Sequence, residues 1–216
     1  MLNFINNILI IISGICWSIV YADSIRIGFK QKTYAMPLFA LALNIAWEGI
    51  YAYTDLFIRC DIGAQAIANA AWFLLDIFIV VTFIKFGREE MEGKLGKKLF
   101  IPWTTLILVC GFALQILFMV EFGDVEGEKY SAFLQNIAMS IAYLYMLNRR
   151  KSSKGQSMTI AICKCIGTLT PTIFGTIEGN MFILVTGVFC FIFDLIYIYC
   201  LHHVIQKEKT EAGVTE

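Results

Sequence analysis

Apolar residues fall in long blocks separated by short polar connections. Seven blocks can be counted: residues 4–21, 34–53, 65–84, 100–120, 131–147, 157–176 and 181–202. Each is near the roughly 20 residues that span about 30 Å as a helix. The pattern predicts an all-α membrane protein, a seven-transmembrane-helix bundle that forms one domain over residues 1–206. A short, charged, disordered cytoplasmic tail is expected at 207–216. The first block has no basic segment before it and no clear small-x-small site after it, so it is expected to be a span rather than a cleaved signal.

Charge sets the orientation. Fourteen of the 17 Lys and Arg residues lie in the 1–2, 3–4 and 5–6 connections and the tail; Arg59 and Lys129 lie in the others, and Lys164 lies inside the sixth block. The positive-inside rule then places the N-terminus outside and the C-terminus inside. Composition agrees with the class: 58% of residues are hydrophobic and 16% charged, against roughly 45–50% and 25% in soluble domains. The net charge is zero, and the basic connections read as topology determinants, so no nucleic-acid partner is expected.

Acids inside the blocks are the departure that needs explaining, because a charge at the centre of a transmembrane helix costs roughly 2.5–3.5 kcal/mol even on lenient scales and normally faces protein. Glu48 lies about 7 Å from the middle of the second block, with Asn44 one turn before and Tyr51 nearly one turn after it. Asp76 shares a face of the third block with Asn69, near Trp72. Asp194 is within about 3 Å of the middle of the seventh block, followed a turn later by Tyr197. The first block reads as packing. Gln135, Asn136, Ser140, Tyr143 and Tyr145 make a polar stripe in the fifth block. Pro102 suits the first turn of the fourth block, and Pro171 is expected to kink the sixth and free carbonyls for the neighbouring threonines. Lys164 is expected to snorkel to the inner surface. The seven cysteines suggest no disulfide framework, and Cys163-x-Cys165 has no matching ligand pair, so no metal site is expected.

The run Tyr34-Ala-Met-Pro37, then Asn44-Ile-Ala-Trp47-Glu48 and Tyr51, resembles the second helix of the integral-membrane terpene cyclases of fungal meroterpenoid and indole-diterpene pathways, the PaxB-type cyclases. Trp72 with Asp76, and Phe191 to Asp194 followed by Tyr197, look like that family's other marks. The likeness covers essentially the whole chain, although compact loops and Ile- and Lys-rich usage look more bacterial than fungal. A bacterial member would sit in the plasma membrane and a fungal one in the endoplasmic reticulum. The resemblance implies that Glu48 and Asp194 are catalytic.

Such a reaction needs an acid in a dry cavity to protonate an epoxide or alkene of a prenyl chain, and walls that do not quench carbocations. Apolar surroundings favour the neutral, proton-carrying form of a carboxyl group. Ring faces of Trp47, Tyr51, Trp72 and Tyr197 can stabilise a passing cation by about 2 kcal/mol when desolvated. The chain has no Asp-Asp-x-x-Asp motif of the kind that holds Mg²⁺ in diphosphate-ionising cyclases, which favours a metal-independent, cofactor-free cyclisation of a hydrophobic isoprenoid taken from the membrane. The competing reading is a proton-coupled small-solute transporter, which would also carry buried acids and a Pro-interrupted helix. Three expectations follow: one cavity opening sideways to lipid, Glu48 and Asp194 sharing it despite an offset of about 10 Å, and Asp76 in support with Asn44.

Overall fold

A computed structural model describes residues 2–91 and 93–213, with side chains from residue 6 onward. Six α-helices make up most of these residues and no strand occurs among them: α1 Leu2–Gln31, α2 Leu38–Tyr53, α3 Ala64–Phe86, α4 Gly93–Arg150, α5 Met158–Ile177 and α6 Met181–Glu211. A π-helical turn, Thr54–Ile58, extends α2, and a 3-10 turn, Gly87–Glu90, extends α3. Every helix except α2 holds a window long and apolar enough to cross a membrane. The helix α2 has 16 residues; it starts after Pro37 because a proline disfavours helical backbone in the residue before it.

The blocks at 100–120 and 131–147 both lie in α4, which is broken at Gly123 (φ 79°, ψ 169°), a conformation open essentially to glycine alone. Twenty residues of straight helix would separate Gln115 from Gln135 by about 30 Å, yet their side chains hydrogen-bond at 2.9 Å. The chain therefore folds back on itself, giving limbs 93–122 and 124–150. Close approach at the turn requires Gly127, where a Cβ would lie 2.6 Å from the Phe118 carbonyl oxygen.

The helices pack in a closed ring: α1 on α3, α3 on α2, α2 on α4, α4 on α6, α6 on α5, and α5 on α1. The ring places apolar side chains such as Ile11, Ile15, Leu106, Val109 and Val120 outside, each more than half exposed, where lipid would cover them. The connections expected on the basic side do meet at one end. Glu90 accepts hydrogen bonds from Thr33 (2.8 Å) and Arg150 (2.7 Å). Arg59 bonds Asp55 (2.6 Å) and Asp124 (2.8 Å), joining the turn after α2 to the Gly123 break.

Several expectations need correction. The helix α1 continues ten residues past its block, because residues 22–31 still pack against neighbouring helices: Ser24 and Ile27 are buried. Residues 207–211 are helical rather than disordered, and Glu208 accepts from the Ser153 backbone at 2.8 Å; residues 214–216 of the expected tail lie outside the described residues. Because α4 starts at Gly93, Pro102 sits within the helix rather than in its first turn. Pro171 lacks the N–H that would bond the Gly167 carbonyl; that carbonyl accepts instead from Ser13 of α1 at 2.7 Å. Thr170, Thr172 and Thr176 donate to other carbonyls, as Thr172 does to Thr168 at 2.7 Å.

Candidate active site

Each helix of the ring sends at least one polar side chain into its interior: Tyr21 from α1, Asn44 and Glu48 from α2, Asp76 from α3, Gln115, Gln135, Ser140 and Tyr143 from α4, Lys164 from α5 and Asp194 from α6. All are at most 5% exposed. Asn44 and Glu48 are four apart and therefore stack on one face of α2, which faces α3 and both limbs of α4.

Asn44 is the hub. Its amide nitrogen lies 3.0 Å from Glu48 Oε1 and 2.9 Å from Asp76 Oδ2, and also reaches the Tyr21 hydroxyl. Two amide hydrogens serve three acceptors, so one is shared. Its oxygen accepts from Gln135 at 3.4 Å, and Gln135 in turn accepts from Gln115 at 2.9 Å, so the amide is fixed from behind. The Tyr21 hydroxyl donates to Glu48 Oε1, and its ring stacks on Trp72 at 6.0 Å. The Glu48 and Asp76 carboxyl groups thus accept from the same amide nitrogen. No cation appears among their hydrogen-bond partners in the described residues. Glu48 Oε2 and Asp76 Oδ1 are buried with no hydrogen-bond partner among the described residues.

Asp194 has a different partner. Lys164 donates to Asp194 Oδ1 at 2.7 Å and to Ser140 at 2.6 Å, with the lysine 0% and the aspartate 1% exposed. The snorkelling expectation for Lys164 is therefore overturned: its ammonium turns inward because a carboxylate waits there. The structure thus brings Glu48 together with Asp76 and Asn44, while Asp194 is paired with Lys164. Tyr143 of α4 is fully buried, its ring 5.4 Å from that of Tyr197, which follows Asp194 by one turn.

The remaining expected site residues are spread around this core. Trp47 donates to the Glu128 carbonyl at 3.0 Å, Tyr51 is buried against Trp47 at 5.4 Å, and Tyr197 donates to Gln156 at 3.0 Å. Asn69 accepts from Gln65 at 2.8 Å. Asn136 is half-buried and Tyr145 faces outward, so the stripe expected in the fifth block narrows to Gln135, Ser140 and Tyr143. An apolar groove of ≈ 380 Å³ opens beside α2, lined by Gly49, Ile50, Phe73 and Phe112 among others. It adjoins Glu48 in sequence, but none of the three acids lines it. The first block contributes more than packing: Ser13, Trp17 and Tyr21, with Ser24 just beyond it, recur at one-turn spacing along one face of α1.

A family model described as Pyr4-like transmembrane terpene cyclases matches residues 1–207. The chain belongs to this family. It is a membrane terpene cyclase by that membership, and the transporter reading is set aside. The curated relatives include the Pyr4-family terpene cyclase mfmH of Annulohypoxylon moriforme, 31% identical over 163 residues, covering 74% of this chain and 66% of the relative. Terpene cyclase pyr4 of Aspergillus fumigatus is 26% identical over 208 residues, covering 90% and 85%. Asnovolin H synthase nvfL of Aspergillus novofumigatus is 25% identical over 219 residues, covering 95% and 88%. No solved structure matches the chain.

Proposed function

We propose that this membrane terpene cyclase starts cyclisation by proton transfer from Glu48 to an epoxide or alkene of a prenylated substrate, with Asp194 taking a proton at termination. The observation that carries this reading is the Glu48–Asn44–Asp76–Tyr21 cluster: two carboxyl groups without a cationic partner, oriented by an amide and a phenol in a water-poor interior. A proton held between Glu48 and Asp76 is available to a substrate that brings a basic oxygen or a π bond to the free Oε2. Asp76 supports Glu48 by sharing Asn44 and the proton. The ring faces of Tyr21, Trp72, Tyr143 and Tyr197 suit a passing carbocation.

The substrate enters sideways from lipid, since apolar side chains such as Leu106, Val109, Val185 and Ile192 lie exposed along the flanks of the bundle. The two limbs of α4 and the other five helices make seven crossings, with the N-terminus outside and the C-terminus inside. The test is mass spectrometry of lipids from cells that express the wild-type chain, Glu48→Gln or Asp76→Asn and are fed farnesyl hydroquinone carrying a terminal epoxide. The wild type should yield a cyclised isomer of unchanged mass, Glu48→Gln none, and Asp76→Asn a reduced amount. Equal product from wild type and Glu48→Gln would refute the assignment.

A further inference from the structure

Cyclisation requires the reacting end of an isoprenoid to sit at the acid in a near-attack geometry while the rest of the chain is held still. The chain therefore needs a hydrocarbon-lined site that adjoins Glu48. The groove beside α2 has that composition and that place. It lies between α2 with its π-helical turn, α3 and the first limb of α4, and encloses ≈ 380 Å³, within the roughly 300–1,000 Å³ of small-molecule sites. Its rim faces the lipid side: Tyr53, Ile58 and Ile116 are 58%, 64% and 46% exposed. Thr54 is the one lining residue with an aliphatic hydroxyl, and that hydroxyl is turned to the Met119 sulfur at 3.7 Å.

Two lining residues tie the groove to the acids. Gly49 follows Glu48 directly on α2, and Phe73 precedes Asp76 by three residues, one turn, on α3. A Cβ at Gly49 would lie 2.8 Å from the Phe73 ring, so the glycine lets that ring lie directly on α2. The groove thus reaches within one residue of Glu48 and one turn of Asp76. Glu48 Oε2, the atom that the chain end has to meet, is buried with no hydrogen-bond partner among the described residues. One side of the groove is the π-helical turn Thr54–Ile58, a winding frequent at functional sites.

Apolarity alone does not choose an isoprenoid over a lipid tail, because lipid chains are as apolar as leucine. Shape and the acid do. Phe73 and Phe112 are side chains with two torsions each and give the groove stiff walls, while the neighbouring carboxyl group favours a chain that ends in a basic oxygen or a π bond. We propose that this groove is the chain site of the cyclase: it takes the isoprenoid of the substrate from lipid, and Phe73 and Phe112 set the chain length accepted. The inference deepens the reading of Glu48 as proton donor and rests on it for the choice of occupant, but it concerns binding and is tested without turnover.

Farnesyl hydroquinone carrying a terminal epoxide and a mid-chain diazirine would be irradiated with wild type, Glu48→Gln, Ile116→Trp, Phe112→Ala and Leu117→Trp in lipid nanodiscs, and the labelled peptides mapped by mass spectrometry. Wild type and Glu48→Gln should both be labelled within residues 49–58 and 112–119, and excess unlabelled farnesyl hydroquinone should displace the label. Ile116→Trp fills the groove and should cut labelling at least about tenfold, in the range that small changes of an apolar pocket produce. Leu117 is 58% exposed and does not line the groove, so Leu117→Trp should label as wild type. In Phe112→Ala the longer geranylgeranyl hydroquinone should gain on farnesyl hydroquinone as a displacer by at least about tenfold. Labelling confined to other residues, labelling of Ile116→Trp at the wild-type level, or an unchanged order of displacers in Phe112→Ala would overturn the chain site. Label that excess substrate fails to displace would mean a groove filled by lipid and would overturn it too. If Ile116→Trp melts early, Ile50→Trp from the opposite wall decides in its place. Glu48→Gln that is labelled in the groove yet still forms product would defeat the proton-donor reading and leave the chain site standing; wild type that forms product without groove labelling would do the reverse.

Discussion

The ion pair between Lys164 and Asp194 makes a quantitative prediction. Its two side chains are 0% and 1% exposed and 2.7 Å apart, so replacing Lys164 by Met leaves a buried carboxylate with no cation. Breaking such a pair costs about 3–5 kcal/mol. That is a large share of the roughly 5–15 kcal/mol that holds a typical protein folded. At about 2–4 °C per kcal/mol for a chain of this size, Lys164→Met should melt roughly 6–20 °C below wild type. Asp194→Asn leaves the ammonium unpaired and should lose a similar amount. The double variant Lys164→Met, Asp194→Asn removes both charges and the mutual dependence, so it should melt above either single variant. The three proteins would be compared by thermal scans in the same lipid nanodiscs, with the fraction remaining monodisperse as readout. A double variant whose loss equals the sum of the two single losses would show no coupling and refute the reasoning. If the double variant folds yet forms no product, Asp194 matters for chemistry as well as for folding.

Two further outcomes test the frame of the bundle. Ser13→Ala removes the donor that serves the Gly167 carbonyl left open by Pro171, so it should cost about 1 kcal/mol, measured as a lowered melting temperature, while Ser18→Ala, whose hydroxyl bonds only within α1 and to Trp72, should cost less. For topology, the exposed Cys60 and a cysteine placed at Lys97 should react with a membrane-impermeant maleimide from opposite sides of the membrane; labelling of both from one side would refute the proposed orientation.

Much of the site was legible because burying an acid in an apolar block is costly, so each acid in such a block must have a protein-made reason to be there. Glu48, Asp76 and Asp194 stand out by that rule, and helical spacing is enough to place Asn44 beside Glu48. Lys164 shows the limit of the same rule. A lysine near a helix end can reach water along its own stem, and nothing local says that Asp194 and Ser140 wait on the inner side. Tyr21 was hidden for another reason: it closes an apolar block, and only the packing of α1 in the ring brings its hydroxyl to Glu48.

Length, block spacing and the distribution of Lys and Arg by themselves determined a helical membrane bundle and which connections gather at one end, because the bilayer thickness and the cost of unpaired backbone leave few alternatives. The motif around Asn44 and Glu48 determined the family. Tertiary structure alone decided which acid meets which: helical period fixes the face a residue occupies on its own helix, but not the neighbour that face will meet. That pairing depends on the order of helices around the ring and on the reversal at Gly123. Together they bring Asp76 and Glu48 to the same Asn44 amide and Lys164 to Asp194.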